Sequence, residues 1–341
     1  MFEISEYDKN LKGYKFIDLF SGIGGFHQAL SSFGAKCVYA SDINSKANKT
    51  YEHNYGLKPD GDITQVDVKD IPKHDILTAG FPCQAFSIAG KKLGFEETRG
   101  TLFFDVARIL KHHQPKVAIL ENVKNFASHD SGKTLQTILK TLDEIGYNVY
   151  FKVLNSADFG VAQARERIYI VAVNKNVKAV FDIPEYAKNI SGERLGYIKI
   201  KDVVSASGKE ILSLSIDSNK HKLNYNPKSN RSINPKRPVR VGDIDGLGNS
   251  QGYRLYSPEG IGNTLTANGG GLGSNKGGPY YFEKEKIART LSVRECLTLM
   301  GFPNSFNPTE SLKESYRQAG NSVVVNVIQE IVKELIKQKI L

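Results

Sequence analysis

Short, almost continuously apolar runs recur along the first half of the chain, separated by segments with helical spacing. YKFIDLF (14–20), AKCVYAS (35–41), DILTAGF (75–81) and PKVAILENV (115–123) carry the pattern of strands buried on both faces. Between successive runs, FHQALSSFG and TLFFDVARILKHH repeat their apolar positions every three to four residues, which predicts helices. Alternation of this kind predicts an α/β fold with a mostly parallel sheet, completed by YNVYFKVLN (147–155) and RIYIVAV (167–173).

The pattern changes near residue 190. From Gly242 to Gly278 there are 12 glycines in 37 residues, too many turn-formers for helix. The interspersed RLYS, NTLTA and PYYF segments point to an ordered, strand- and loop-rich module rather than a linker. Helical spacing returns at Ser292, and the last segment places Val323, Val324, Val327, Ile328, Ile331, Val332, Leu335 and Ile336 on one face. So amphipathic a helix needs a partner surface, and return to the first domain is the simplest arrangement. The expected division is therefore residues 1–195 with 290–341 as one domain and 196–289 as a second, smaller one.

With 341 residues, 40% hydrophobic and 24% charged, the chain has the make-up of a soluble globular protein. The acidic opening MFEISEYDKN does not read as a signal peptide, and no apolar run approaches the roughly 18–20 residues of a membrane span. A cytoplasmic location is the expectation. Three scattered cysteines, Cys37, Cys83 and Cys296, form no CxxC pair and suit a reducing compartment. The formal charge of +10 suggests a polyanionic partner, and its distribution strengthens the point. From Gly196 to Arg289 there are 15 basic and 8 acidic residues, a surplus of +7 in the second module.

Four segments carry candidate chemistry. DLFSGIGGF (18–26) runs from a strand through glycines into a helix, so that the backbone at Gly22 and Gly24 can approach a ligand closely. It lacks the full GxGxxG spacing and on its own serves equally well as a tight link. Asp42, at the end of the second strand, is placed to bind a ribose diol, and Asp62 in GDIT to accept from an adenine amino group. Together they suggest a nucleoside-bearing cofactor. GFPCQAFS (80–87) follows the third strand and puts Cys83 just outside a carboxyl end, where open α/β sheets place ligands. A free thiol is only a few per cent ionised at neutral pH, so Cys83 would need activation by its setting. ENV (121–123) sets Glu121 at the same sheet edge as a candidate general acid. QARERIYI (163–170) alternates Arg165 and Arg167 around Glu166, as an ion-paired strand or as a positive clamp.

FSGIGGF, GFPCQAFS, ENV, QARERIY, RECLTLMGFP and GNSVVV occur in the order of the motifs of C5-cytosine DNA methyltransferases, and the chain resembles the bacterial restriction-modification members of that family over residues 14–190 and 290–335. The resemblance implies a Rossmann-like methyltransferase fold with a separate target-recognition domain over 196–289. It implies Cys83 as the nucleophile toward carbon 6 of cytosine, Glu121 as the carboxyl engaging N3, and Arg165 and Arg167 as the arginines that help hold the base and the Glu. It places Phe20, Asp42, Asp62, Pro82, Leu102, Asn321, Ser322 and Val323 around S-adenosylmethionine, with Gly22, Gly24, Ile43 and Ile63 in the same set and no metal. Ile43 stands where a relative has a tryptophan on the adenine, so weaker stacking is expected. The likeness further implies Ser87, Gln251, Arg254 and Thr264, the last paired with Leu265, as contacts to a short duplex DNA site such as GCGC. Arginine bidentate to guanine is the commonest specific contact. A target inside a duplex has to be flipped out, at a cost of roughly a few kcal/mol. Pairing with a restriction endonuclease and a monomeric state follow from the family alone.

Other readings compete. A tRNA cytosine-5 methyltransferase would share the catalytic half but have a much reduced recognition region. A zinc-dependent deaminase requires a second Cys two residues after the first and an HxE, and the sequence has neither. A non-catalytic binding module has no use for Cys83, Glu121 and both arginines together, and a nicotinamide dehydrogenase explains only the first fifty or so residues.

Overall fold

The computed structural model describes residues 10–82, 102–189, 191–205, 213–217, 220–225, 236–245, 253–266, 280–282 and 288–341. The chain divides into two compact units: Met1–Leu154, Glu166–Glu185 and Val327–Leu341 form unit 1, and Asn155–Arg165 with Tyr186–Asn326 form unit 2. Unit 2 thus contains the 196–289 stretch together with the segments flanking it.

Unit 1 is built on the sheet that the apolar runs predict. Its strands are β1 (Lys15–Leu19), β2 (Lys36–Ser41), β3 (Ile76–Ala79), β4 (Val117–Val123), β5 (Tyr147–Asn155) and β6 (Glu166–Asn174), in the order β2-β1-β3-β4-β6-β5. β1 to β4 pair in parallel, and β6 runs antiparallel to β4. The helices are α1 (Gly25–Ser31), α2 (Ser45–Tyr55), α3 (Leu102–His113) and α4 (Lys133–Glu144). All four residues of β3 are buried, as are six of the seven of β4, which is why these strands read as unbroken apolar runs. Ile17, Leu19, Leu77, Ala79, Phe103, Leu110, Leu120 and Ile170 belong to one packed core. In unit 1 the C-terminal helix buries Val327, Ile328, Ile331, Val332 and Leu335, and its Gln329 Nε2 donates to Ser32 Oγ at 3.1 Å.

Unit 2 holds a five-stranded sheet in the order β11-β10-β9-β8-β7, from β7 (Leu223–Tyr225), β8 (Arg240–Ile244), β9 (Arg254–Tyr256), β10 (Tyr280–Phe282) and β11 (Ala288–Arg289). Two segments flagged in the glycine-rich stretch, RLYS and PYYF, supply β9 and β10. The close approach of β7 to β8 demands glycine at 242, where a Cβ would sit 2.1 Å from the Asn224 carbonyl oxygen. Helices α5 (Val293–Leu299) and α6 (Leu312–Asn321) follow, and α7 (Val325–Lys337) begins at the unit boundary. The fully buried Arg289 donates from Nη1 to Glu295 Oε2 at 2.9 Å and from Nη2 to Oε1 at 3.1 Å. Glu295 also accepts from the Ser292 amide at 2.8 Å in a capping box and from the Ser205 amide at 2.7 Å.

Removing one partner of a buried pair strands the other charge, so Glu295→Ala is expected to cost roughly 3–5 kcal/mol of stability in urea denaturation of the full chain. Two buried histidines in unit 1 give a pH dependence. Burial pushes the His27 pKa down to about 3 and that of His74 down to about 4. Each takes up its proton only on unfolding, so neither affects stability above the ordinary histidine value of about 6.5, and both reduce it as pH falls below that. Between about pH 7.5 and 5.5 the expected loss is about 1.4 kcal/mol for each histidine, and His74→Gln should halve it in urea melts.

Candidate active site

The carboxyl ends of the four parallel strands set the site in unit 1. Leu19 lies opposite both Ser41 and Ala79, and Ala79 lies opposite Leu120. The residues that follow on each strand, Phe20, Asp42, Gly80 and Glu121, therefore emerge along one edge of the sheet.

After β1 the backbone turns sharply, with left-handed φ values at Phe20 (53°), Gly22 (54°) and Gly24 (85°). Such a conformation is costly for a phenylalanine and marks a turn held by its surroundings. Asp42 supplies part of that hold: one carboxylate oxygen accepts from the Gly22 amide at 2.8 Å and the other from the Asn44 amide at 2.8 Å. Asp62 caps the short 3-10 turn Ile63–Gln65 by accepting from the Thr64 amide at 3.0 Å. A carboxylate has about four lone-pair directions, so both aspartates keep acceptor capacity for a ligand. Ile43 is 78% exposed beside Asp42, an unusual setting for a large apolar side chain, whereas Ile63 is buried. A Cβ placed on Gly22 would meet nothing within 4 Å, so the turn has open space on that side. Two acceptors, an exposed apolar side chain and an open glycine turn fit a nucleoside-bearing cofactor. Pro82 is exposed and Leu102, at the start of α3, is half-buried.

Glu121 and Arg167 come together. The antiparallel pairing of β4 with β6 sets Glu121 opposite Tyr169 and Val123 opposite Arg167. Arg167 Nε then lies 3.1 Å from Glu121 Oε1, with the two side chains 16% and 11% exposed. Their neighbour Asn122, buried and not singled out from the sequence, donates from Nδ2 to the Phe81 carbonyl at 2.9 Å. This bond ties the Phe81–Pro82 turn to the strand that carries Glu121. Cys83, Ser87 and Gln251 lie outside the described residues. The other two cysteines are unsuited to nucleophilic work. Burial pushes the Cys37 thiol up to about 12, and burial raises that of Cys296 as well.

Unit 2 contains the remaining candidates. Arg165 is buried and donates from Nη1 to the Leu265 carbonyl and from Nη2 to the Ser322 carbonyl, both at 2.9 Å. Gln163, also buried, accepts from the Leu265 amide at 2.9 Å and donates to the Leu299 carbonyl at 3.0 Å. Thr264 Oγ1 donates to the Ala164 carbonyl at 2.5 Å. The QAR segment is thus the fastening of the Thr264–Leu265 pair, a role for Gln163 that its spacing did not signal. Asn321 is exposed at the end of α6, while Ser322 and Val323 are buried. Arg254 is half-buried in β9, opposite Asp243.

Among the described residues, no group of three or more His, Cys, Asp and Glu side chains is arranged to hold a metal ion, and no helix is long and apolar enough to cross a membrane.

Comparison with known proteins agrees with the motif order. The chain is 47% identical over 328 residues to the type II methyltransferase M.HhaI of Haemophilus parahaemolyticus, covering 95% of this chain and 94% of that protein. It is 42% identical over 316 residues to M.NgoBI of Neisseria gonorrhoeae, covering 93% and 91%. Among solved structures, the S. pombe Dnmt2 methyltransferase superposes with a TM-score of 0.70 over 95% of this chain and 98% of that one. At 22% identity that likeness speaks for the fold. The sequence model of the C-5 cytosine-specific DNA methylase family matches residues 14–337, and the chain belongs to that family.

Proposed function

We propose that this chain methylates carbon 5 of a flipped-out cytosine in a short duplex DNA site, with Cys83 as the covalent nucleophile. The observation that carries the reading is the contact of Arg167 on β6 with Glu121 on β4, the strand whose Asn122 holds the turn just before Cys83. Family membership makes the chain a DNA cytosine-5 methyltransferase, and the family draws its methyl group from S-adenosylmethionine. Here Phe20, Gly22, Gly24, Asp42, Ile43, Asp62, Ile63, Pro82 and Leu102 would hold that cofactor, with Asn321, Ser322 and Val323 of unit 2 as further candidates. When bound, it supplies an electrophilic methyl group and leaves as S-adenosylhomocysteine.

The chain's own residues do the rest. The Cys83 thiolate adds to carbon 6 of the base, and the electron pair of the 5,6 double bond shifts toward carbon 5. Glu121, acting as the general acid, donates a proton to N3 and so offsets the negative charge that develops on the ring, while Arg167 orients Glu121 through its Nε contact. Once carbon 5 carries the methyl, its proton passes to solvent water, which restores the 5,6 double bond and expels the thiolate, and N3 returns its proton to Glu121. Covalent addition divides one difficult step into easier ones.

Residues 1–195 and 290–341 act as the catalytic and cofactor-binding part, and 196–289 as the part that reads the target. There Gln251, Arg254 and Thr264 contact the DNA, with Ser87 from the catalytic part, and the site read resembles GCGC. A monomer acting in the bacterial cytoplasm, paired with a restriction endonuclease, completes the proposal.

Cys83→Ser should abolish methyl transfer while retaining duplex binding in a gel-shift assay, and Glu121→Gln should lower kcat by about 10²–10⁴-fold. Undiminished transfer by Cys83→Ser would sink the covalent mechanism. Labelled methyl transfer should favour duplex DNA over tRNA, and bisulfite sequencing of DNA from an expressing host should show protected cytosines in one short sequence. Preference for tRNA would move the chain to the RNA-modifying class.

A further inference from the structure

The turn after β1 has two unlike sides. Over Gly22 there is open space, but a Cβ on Gly24 would fall 2.3 Å from Tyr55 Cε2 and 3.0 Å from Tyr51 Cε2. The surface beneath Gly24 is a group of three rings: His27 from α1, and Tyr51 and Tyr55 from α2. His27 and Tyr55 stack with centroids 3.9 Å apart and planes 12° from parallel. Tyr51 meets both edge-on, at 5.2 Å from His27 and 4.9 Å from Tyr55. The Tyr51 hydroxyl shares a 2.7 Å hydrogen bond with His27 Nδ1 and lies 3.5 Å from Cys37 Sγ. The Tyr55 hydroxyl donates to the Gly24 carbonyl at 2.9 Å, alongside the Gln28 amide at 2.8 Å.

Every contact in this group is made by a neutral side chain, since burial keeps His27 unprotonated down to about 3. The ring of Tyr55 leaves no room for a side chain at Gly24, and its hydroxyl fixes the direction of the Gly24 carbonyl. On the other side, the Gly22 amide is held by Asp42 at 2.8 Å. The left-handed path from Phe20 to Gly24 is therefore pinned at two points, one on each side of residue 23.

We propose that Tyr55 is a positioning residue for cofactor binding, fixing Gly24 from beneath so that the open face of the turn at Gly22 is preformed for the amino-acid or nucleoside part of S-adenosylmethionine. This rests on the reading of the turn as the cofactor site. The side chain does not touch the cofactor. It acts through the backbone of Gly24, and removing its hydroxyl leaves the packing of the ring in place.

The test is S-adenosylhomocysteine binding to the full chain by calorimetry, with wild type, Tyr55→Phe and Asp42→Ala measured side by side. Loss of one neutral hydrogen bond is expected to weaken binding roughly three- to tenfold in Tyr55→Phe. KM for S-adenosylmethionine should rise by the same factor with kcat within about twofold, because ground-state and transition-state binding are lost together. Amide hydrogen exchange across residues 20–26 should speed up in the ligand-free variant. A merely structural role would lower the thermal midpoint and leave the affinity of the folded protein unchanged, and that result overturns the proposal. Unchanged affinity in Tyr55→Phe with lost affinity in Asp42→Ala rejects the role of Tyr55 alone. Unchanged affinity in both rejects the turn as the cofactor site, and the proposal with it. Should Tyr55→Phe fail to fold, Tyr55→Met, which also lacks the hydroxyl donor, is judged by the same criteria.

Discussion

The side-chain amide of Asn122 reaches from β4 to the Phe81 carbonyl at 2.9 Å, and the usefulness of the sheet edge depends on that reach. It joins the strand bearing Glu121 to the turn that leads into Cys83. It can do so only because β3 and β4 run in parallel with Ala79 opposite Leu120. Slippage by one residue would reverse the facing of every side chain on a strand. On strands buried on both faces, slippage would instead set each side chain against the wrong packing layer, in an interior with little room to adjust. The core thus specifies the register, and the register sets Phe20, Asp42, Phe81–Pro82 and Glu121 along one edge. Hydrophobic packing and candidate chemistry are consequences of the same alignment.

The QARER segment shows a second division of labour. Between Arg165 and Glu166 the chain passes from unit 2 to unit 1, and the residues on either side have different duties. Gln163 and Arg165 are buried and satisfy backbone groups of Leu265, Leu299 and Ser322. Arg167, still partly exposed, turns its Nε to Glu121. A guanidinium in a dry interior is tolerable when its donors meet acceptors in fixed directions, and a planar fork does this better than a lysine amine. Two arginines two residues apart thus work in different settings, one holding backbone in place and one holding a carboxylate.

The strands of unit 1 were legible because burial on both faces writes an unbroken apolar run, as in ILTA of β3 and VAIL of β4. The antiparallel pairing of β6 with β4 was less so, since periodicity carries no strand direction. Glu121 and Arg167 were legible as candidates, but their pairing depends on a cross-strand register that no local pattern encodes. Asn122 and Gln163 were missed because an amide has no signature of its own. Its importance comes from which distant carbonyl it meets, 41 residues away for Asn122 and 136 for Gln163. Tyr55 was missed for a related reason. At the end of α2 it reads as one more aromatic residue, and only the fold brings its hydroxyl to Gly24, 31 residues earlier. The glycine-rich stretch correctly announced short strands, but turn composition alone gave no account of the order β11-β10-β9-β8-β7.

The surroundings of the β1 turn follow an electrostatic logic. Burial disfavours charge around it: His27 is kept uncharged, and burial reinforced by the nearby Asp42 raises the Asp18 carboxyl well above the ordinary carboxylate range. Thr78 Oγ1 lies 2.9 Å from Asp18 Oδ1, a hydrogen bond that pulls the other way but does not overcome the burial. Asp42 and Asp62, by contrast, are half-buried with their oxygens on backbone amides. A charge placed under the turn would carry a desolvation cost and would perturb any charged ligand from a side it cannot reach. A neutral underside of rings and hydroxyls supplies shape and hydrogen-bond direction with neither drawback. The carboxylates combine backbone support with acceptor capacity for a ligand, and so the left-handed path through Phe20, Gly22 and Gly24 is held by uncharged contacts on one side and carboxylate–amide bonds on the other.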